Sequence, residues 1–285
     1  MSHFTVCVIG ENPEDQLAPY DENVEVPRYV KYTKQELIEK GKKDIEDYKN
    51  GLYAEYLADP AKYELGCTNT THLEFIKNEF PLRLNWTDEE VYNYEIWYED
   101  DMDEDGNVYS EYNPKSKWDW YSLGGRWTGM LKLKHGGKGE IGTPGIMTAS
   151  ASAGWVDQAS IKDIDFDKMI EESYESASKS YDEFLSKWHD PKEKESIHPY
   201  FDYGIHGTSN NDEFVPESKD EYLKRHVPFS TFAVVKDGKW YEKGEMGWWG
   251  VISDEKNPDE WDNQFKELLA GLDGDTLISI FDCHI

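Results

Sequence analysis

The sequence predicts an α+β fold: a largely antiparallel sheet with flanking helices and an inserted lobe of helical and irregular chain. Three observations predict it. A strand-like run, "HFTVCVI", occupies residues 3–9. A hairpin signal comes late, in "STFAVVKDGKWYEKG", where two alternating runs meet across Asp237-Gly238. A helical pattern and then the apolar run "DTLISIFDCHI" end the chain. On this reading residues 1–30 and 227–285 make the core sheet. Residues 31–226 make a helical and hairpin insertion or second lobe, or else the whole is one continuous domain.

In the first run Val6 to Ile9 are all apolar, which suits a strand covered on both faces. Gly10 ends it, and an acidic, proline-containing connection follows. Thr33 and Glu36 have the capping-box spacing, in which hydroxyl and carboxylate each satisfy an orphan backbone N–H. Behind them Leu37, Gly41, Ile45, Tyr48, Leu52 and Tyr56 recur at helical steps, toward a stop near Asp59-Pro60. Thr71 with Glu74 and Thr87 with Glu90 predict two further helix starts.

Glu95, Glu99, Asp100, Asp101, Asp103, Glu104 and Asp105 then put seven acids into eleven residues without a base. Within them "DMDEDGN" resembles a calcium loop, but the twelfth position is Tyr112 where a bidentate Glu belongs. Asp105-Gly106 reads equally as a tight turn. "NPKSKWDWYSLGGRWTGMLKLK" predicts two strands around a Gly-Gly bend. "HGGKGEIGTPG" is a glycine-rich loop without the Ser or Thr of a P-loop.

From Asp165 to Trp188 runs the clearest helix, with Phe166, Ile170, Tyr174, Ala177, Tyr181, Phe184 and Trp188 on one stripe. Residues 190–229 read as an irregular excursion. Asn257 and Pro258 open a last helix, striped by Trp261, Phe265, Leu268 and Leu272.

Thirty Lys and Arg stand against 59 Asp and Glu, a formal charge of −29. Such a surface repels phosphate and anionic lipid, so neither direct nucleic-acid binding nor membrane binding is expected. It suits a partner with a basic surface. Aromatic residues form 14% of the chain, too many for a disordered acidic tail. Three scattered cysteines give no disulfide framework, and neither a membrane-length apolar run nor a signal-peptide pattern is present. A soluble, intracellular protein is expected.

If the first and last strands are neighbours, His3 and Cys7 face either Cys283 or the pair Asp282 and His284, since alternation puts these on opposite faces. A compact Cys–His metal site cannot use all three, and no CxxC or HxxxH spacing is present, so no metal or cofactor is expected. Cys283 reads as a packed apolar residue or as an oligomer contact where a thiol meets a second copy. No nucleophile elbow or Cys–His signature marks a catalytic residue, and no catalytic role is assigned. Gly124, Gly125, Arg126 and Trp127 are candidates for a nucleotide pocket, with Trp248 and Trp249 as the other wall. A structural corner is the competing reading of the same glycines.

"MSHFTVCVIG", "NPKSKWDWYSLGGRWTG" and "KDGKWYEKGEMGWWGVISDE" with "DCHI" together resemble a family of phage and prophage proteins over the whole chain. Its closest functional association is with phage anti-defence inhibitors of the bacterial Gabija system. The resemblance implies a homo-oligomeric protein of the host cell cytoplasm that binds an immune nuclease complex and stops it binding and cutting DNA. It carries no contact residues over, and the acids from Glu95 to Asp105 are the partner-binding candidates on charge alone. The alternative is a nucleotide-binding sponge or nucleotide-processing enzyme built on "GGRW" and "MGWWG".

Overall fold

A computed structural model describes residues 2–146, 148–210, 213–247 and 250–285. The fold is α+β, around a mixed and mostly antiparallel sheet. Its strands lie in the order Lys239–Glu242, Ala233–Lys236, His3–Ile9, Leu277–His284, Trp120–Gly125 and Thr143–Pro144. His3–Ile9 pairs antiparallel with the C-terminal strand, His3 opposite His284 and Ile9 opposite Ile278. On its other edge it runs parallel to Ala233–Lys236. The far edge of Leu277–His284 is shared: Gln158–Ser160 takes Leu277 to Ser279, and Trp120–Gly125 takes Phe281 to His284. Between them Ile280 N–H donates to the Asp157 carbonyl (2.8 Å), so the ladder has no gap.

The run Val6 to Ile9 is apolar because both faces are covered. On one face Cys7, Ile9, Ile278, Ile280 and Val234 pack with Met169, Trp261 and Phe265. Those last three come from the helices Phe166–Trp188 and Pro258–Leu269. On the other face Phe4, Val6, Val8, Phe281 and Cys283 pack with Leu17, Tyr20 and Trp118. The late hairpin forms as its sequence demands. Asp237 and Gly238 take φ of 53° and 70°, a pair of left-handed residues that matches the twist of the flanking strands.

The chain divides into two compact units, Met1–Val24 with Asn113–Ile285, and Glu25–Tyr112. The insertion is therefore narrower than 31–226. Trp120–Gly125 and Gln158–Ser160 are sheet strands, so everything from Asn113 onward belongs with the sheet. Nor are residues 190–229 irregular throughout. They hold the helix Pro199–Tyr203, the hairpin Gly207–Asn210 with Glu213–Pro216, and the helix Lys219–His226. That last helix has a full capping box of Ser218 and Glu221. With Ala177, Tyr181 and Phe184 of the long helix, Ile205 and Tyr222 close a second core. The long helix thus serves two cores, its first turns one and its later turns the other. Ile170 and Tyr174, on the predicted stripe, lie exposed between them.

In the unit Glu25–Tyr112, Thr33 and Thr87 cap the helices Lys34–Tyr48 and Asp88–Glu95 with complete capping boxes. Thr71 does not, because Asn69 takes the cap position and accepts the His72 N–H at 3.1 Å. Leu37, Ile38, Tyr92 and Val108 make this unit's own small core. The first helix is interrupted at Lys49–Tyr53, where Gly51 leaves helical dihedrals (φ −95°, ψ −109°). Among the described residues no helix is long and apolar enough to cross a membrane.

Phe281 is 1% exposed and lies against Tyr121 across the strand pair, ring centroids 5.5 Å apart. Phe281→Ala is expected to lower stability by about 3–5 kcal/mol, read as a shift in the urea midpoint. Deletion of residues 281–285 should leave no cooperative unfolding transition, since it strips partners from both neighbouring strands. A truncated chain that melts like the intact one would contradict this account of the sheet.

Candidate functional site

At one end of the C-terminal strand the covered face turns polar. His3 and His284 sit directly opposite each other on antiparallel strands, with Trp120 next in the row. The two imidazoles meet edge to face, centroids 4.9 Å apart, and Trp120 lies 5.9 Å from His3. Each ring is held through Nδ1. Asp282 Oδ1 lies 2.8 Å from His3 Nδ1, and Asp119 Oδ1 lies 2.6 Å from His284 Nδ1. A carboxylate only accepts, so each bond places a proton on Nδ1, and in the neutral ring Nε2 then carries the lone pair. Both imidazoles are partly exposed, at 15% and 13%, whereas Asp282 is buried. Of the two sequence alternatives for His3, the structure takes Asp282 with His284. Asp119 was missed: its only sequence signal is its place between the tryptophans of "WDW".

The "GGRW" element is a corner built around carboxylates. Gly124 and Gly125 have φ of 75° and 55°, a region that only glycine enters freely. A Cβ at Gly124 would collide with the Asp157 carboxylate, and one at Gly125 with Asp282. Asp157, wholly buried, accepts from Thr128 Oγ1 (2.9 Å), from Gly142 N–H (2.8 Å) and from Gly129 N–H. Asp282 Oδ2 accepts from Arg126 N–H at 3.0 Å. The Arg126 and Gly129 N–H groups are thus committed to carboxylates, while those of Trp127 and Thr128 donate to the Gly124 and Gly125 carbonyls. Of the pocket candidates Gly124, Gly125, Arg126 and Trp127, the two glycines lie buried in this corner. Among the described residues the exposed Arg126 side chain makes no ion pair. Trp248 and Trp249 lie outside the described residues. Their neighbours do not: Ser2 Oγ accepts from Gly250 N–H and donates to the Gly247 carbonyl at 3.4 Å.

Cys283 is inside the core, wholly buried among Phe4, Val6 and Phe281. Of its two sequence readings, this placement is that of a packed apolar residue. Alternation explains this: Cys283 points to the face opposite His284 and Asp282. Burial pushes its thiol well above the ordinary range and pushes Cys7 up to about 12. The calcium-like loop has another purpose as well. Asp103 turns its oxygens inward to Asn107, Tyr109 and the Asp105 N–H, and these bonds, led by Asn107, hold its pKa below the usual carboxylate value.

The acidic run of the unit Glu25–Tyr112 is in part spent on folding. Glu95 pairs with Lys40 (2.6 Å) and Glu99 with Lys31 (3.0 Å). Asp101 holds the Arg28 guanidinium at two points, 2.7 and 2.8 Å, over the Tyr109 ring. Asp100, Glu104 and Asp105 remain exposed. Beside them, in the turn after the helix Asp88–Glu95, Trp97 is 75% and Tyr98 89% exposed. The charge run hid these two aromatics from the sequence reading.

Two outcomes check this geometry. Gly125→Ala should cost at least the roughly 1–3 kcal/mol of a strained backbone, with the collision against Asp282 added, read as a fall in melting temperature. Under native conditions a thiol reagent should label Cys67, which is partly exposed, and leave Cys7 and Cys283 unlabelled until denaturant is added.

Comparison with protein-family models, with curated proteins and with solved structures finds no match to this chain.

Proposed function

We propose that the protein is a binding inhibitor: it docks on a basic, DNA-handling immune nuclease complex of the Gabija type in the host cytoplasm and blocks DNA binding and cleavage. The observation that supports this most is the pair Trp97 and Tyr98, exposed at 75% and 89% beside the unpaired acids Asp100, Glu104 and Asp105. A free tryptophan and tyrosine side by side give up little solvation and supply large, stiff contact area, the composition of interface hot spots. Carboxylates around them steer a basic partner and repel nucleic acid. The formal charge of −29 acts in the same direction over the whole surface. The resemblance to phage proteins supplies the choice of partner.

The test is inhibition of DNA cleavage by a reconstituted Gabija-type nuclease complex, with affinity measured alongside. Trp97→Ala should weaken binding by about 2 kcal/mol, roughly thirtyfold, with the melting temperature unchanged because the side chain is already in water. Neutralising Asp100, Glu104 and Asp105 together should slow association at low salt and flatten its salt dependence, since exposed charges are screened over about 8 Å at physiological ionic strength. A chain that leaves cleavage untouched, or a Trp97→Ala variant that inhibits as well as the parent, would overturn the proposal.

A further inference from the structure

The paired histidines have no part in that docking surface, and their arrangement has a chemistry of its own. Three features coincide. His3 and His284 are directly opposed on antiparallel strands, which sets their Cβ atoms about 4.5–5.5 Å apart and points both rings to one face. Each Nδ1 is bonded to a carboxylate, so in the neutral ring it is Nε2 that carries the lone pair. Asp282 is itself fixed by the Arg126 N–H, so the His3 ring has a rigid support. Imidazoles that ligate a metal almost always give their other nitrogen to a carboxylate or carbonyl, which orients the ring and makes the ligating nitrogen more basic.

We propose that His3 and His284 form a two-point site for a late first-row divalent cation, bound through the two Nε2 atoms. Asp282 and Asp119 act from behind the rings as positioning residues. Imidazole nitrogen selects copper, nickel or zinc over the hard, oxygen-loving calcium and magnesium, and copper is expected to bind tightest in that series. The negative charge of the two supporting carboxylates favours the cation further. Among the described residues no group of three or more His, Cys, Asp or Glu could hold a metal. Among the described residues two ligands are therefore the contribution to the site, and the remaining coordination positions are open to water or to a ligand oxygen. Trp120, half-exposed and 5.9 Å from His3, stands close enough to report the ion.

The experiment uses the full chain, stripped with a chelator and titrated with copper(II), nickel(II) and zinc(II) salts. One equivalent of copper is expected, with quenching of tryptophan fluorescence and an electron paramagnetic resonance spectrum showing two nitrogen ligands. His3→Gln and His284→Gln should each weaken binding at least tenfold, and Asp119→Asn about 10–100-fold, while His72→Gln leaves it unchanged. Far-ultraviolet circular dichroism and melting of each variant separate loss of the site from loss of the fold. Where His3→Gln fails to fold, the partly exposed Asp119 carries the test. Oxygen-only coordination, absence of a stoichiometric site, or equal affinity in the parent and a folded His284→Gln variant would each overturn the proposal. Inhibition of a nuclease complex by the metal-stripped chain is an independent readout, so the two proposals fail separately.

Discussion

Leu277–His284 gives both of its edges to other strands. His3–Ile9 lies along one, while Gln158–Ser160 and Trp120–Gly125 divide the other. Both of its faces are covered too, by Ile278 and Ile280 on one and Phe281 and Cys283 on the other. Segments from the start, the middle and the end of the chain are joined in one sheet by this strand. Its backbone bonds compensate the ordering of distant pieces of chain, and its apolar side chains tie two cores to one sheet. Such pairings are long-range, so most of the sheet's stabilisation arrives only after large loops have closed.

Within that strand Asp282 is the exceptional residue. A carboxylate inside a packed sheet is costly unless its oxygens are occupied. Here one oxygen faces His3 and the other accepts the Arg126 N–H. Asp157, on the neighbouring strand connection, is satisfied in the same way by backbone and hydroxyl donors. The consecutive glycines Gly124 and Gly125 exist to let the chain turn this close to two carboxylates, which any Cβ would prevent. Local backbone freedom, buried charge and the placement of the His3 ring are therefore one arrangement. Altering any member disturbs the others.

The acidic surface divides by a similar logic. Where a carboxylate meets a lysine, an arginine or a free N–H of its own unit, it holds the loop: Glu95, Glu99, Asp101 and Asp103 do this. What remains outward is a smaller group around Trp97 and Tyr98. Exposed ion pairs contribute little stability each, typically 0–1 kcal/mol, so these pairs act by positioning the turn more than by strengthening the unit. Hydrophobic contact at its own core, through Leu37, Ile38, Tyr92 and Val108, carries that task.

What the sequence determined by itself is the part governed by near neighbours in the chain. The strands His3–Ile9 and Leu277–His284, the hairpin at Asp237-Gly238, the long helix from Phe166 and the capping boxes at Thr33 and Thr87 all follow from periodicity, caps and turn residues within a few positions. Even the facing of His3 with Asp282 and His284 was legible, as one of two alternatives set by alternation. Tertiary structure alone decided the rest. Which strand lies beside the C-terminal one, and hence that Trp120–Gly125 belongs to the sheet and not to the insertion, depends on pairing between residues more than 150 positions apart. That pairing puts Asp119 on His284, turns the glycines of "GGRW" toward carboxylates and sends Cys283 inward. Burial and partnership are properties of the packed chain, and a residue's neighbours in sequence do not specify them.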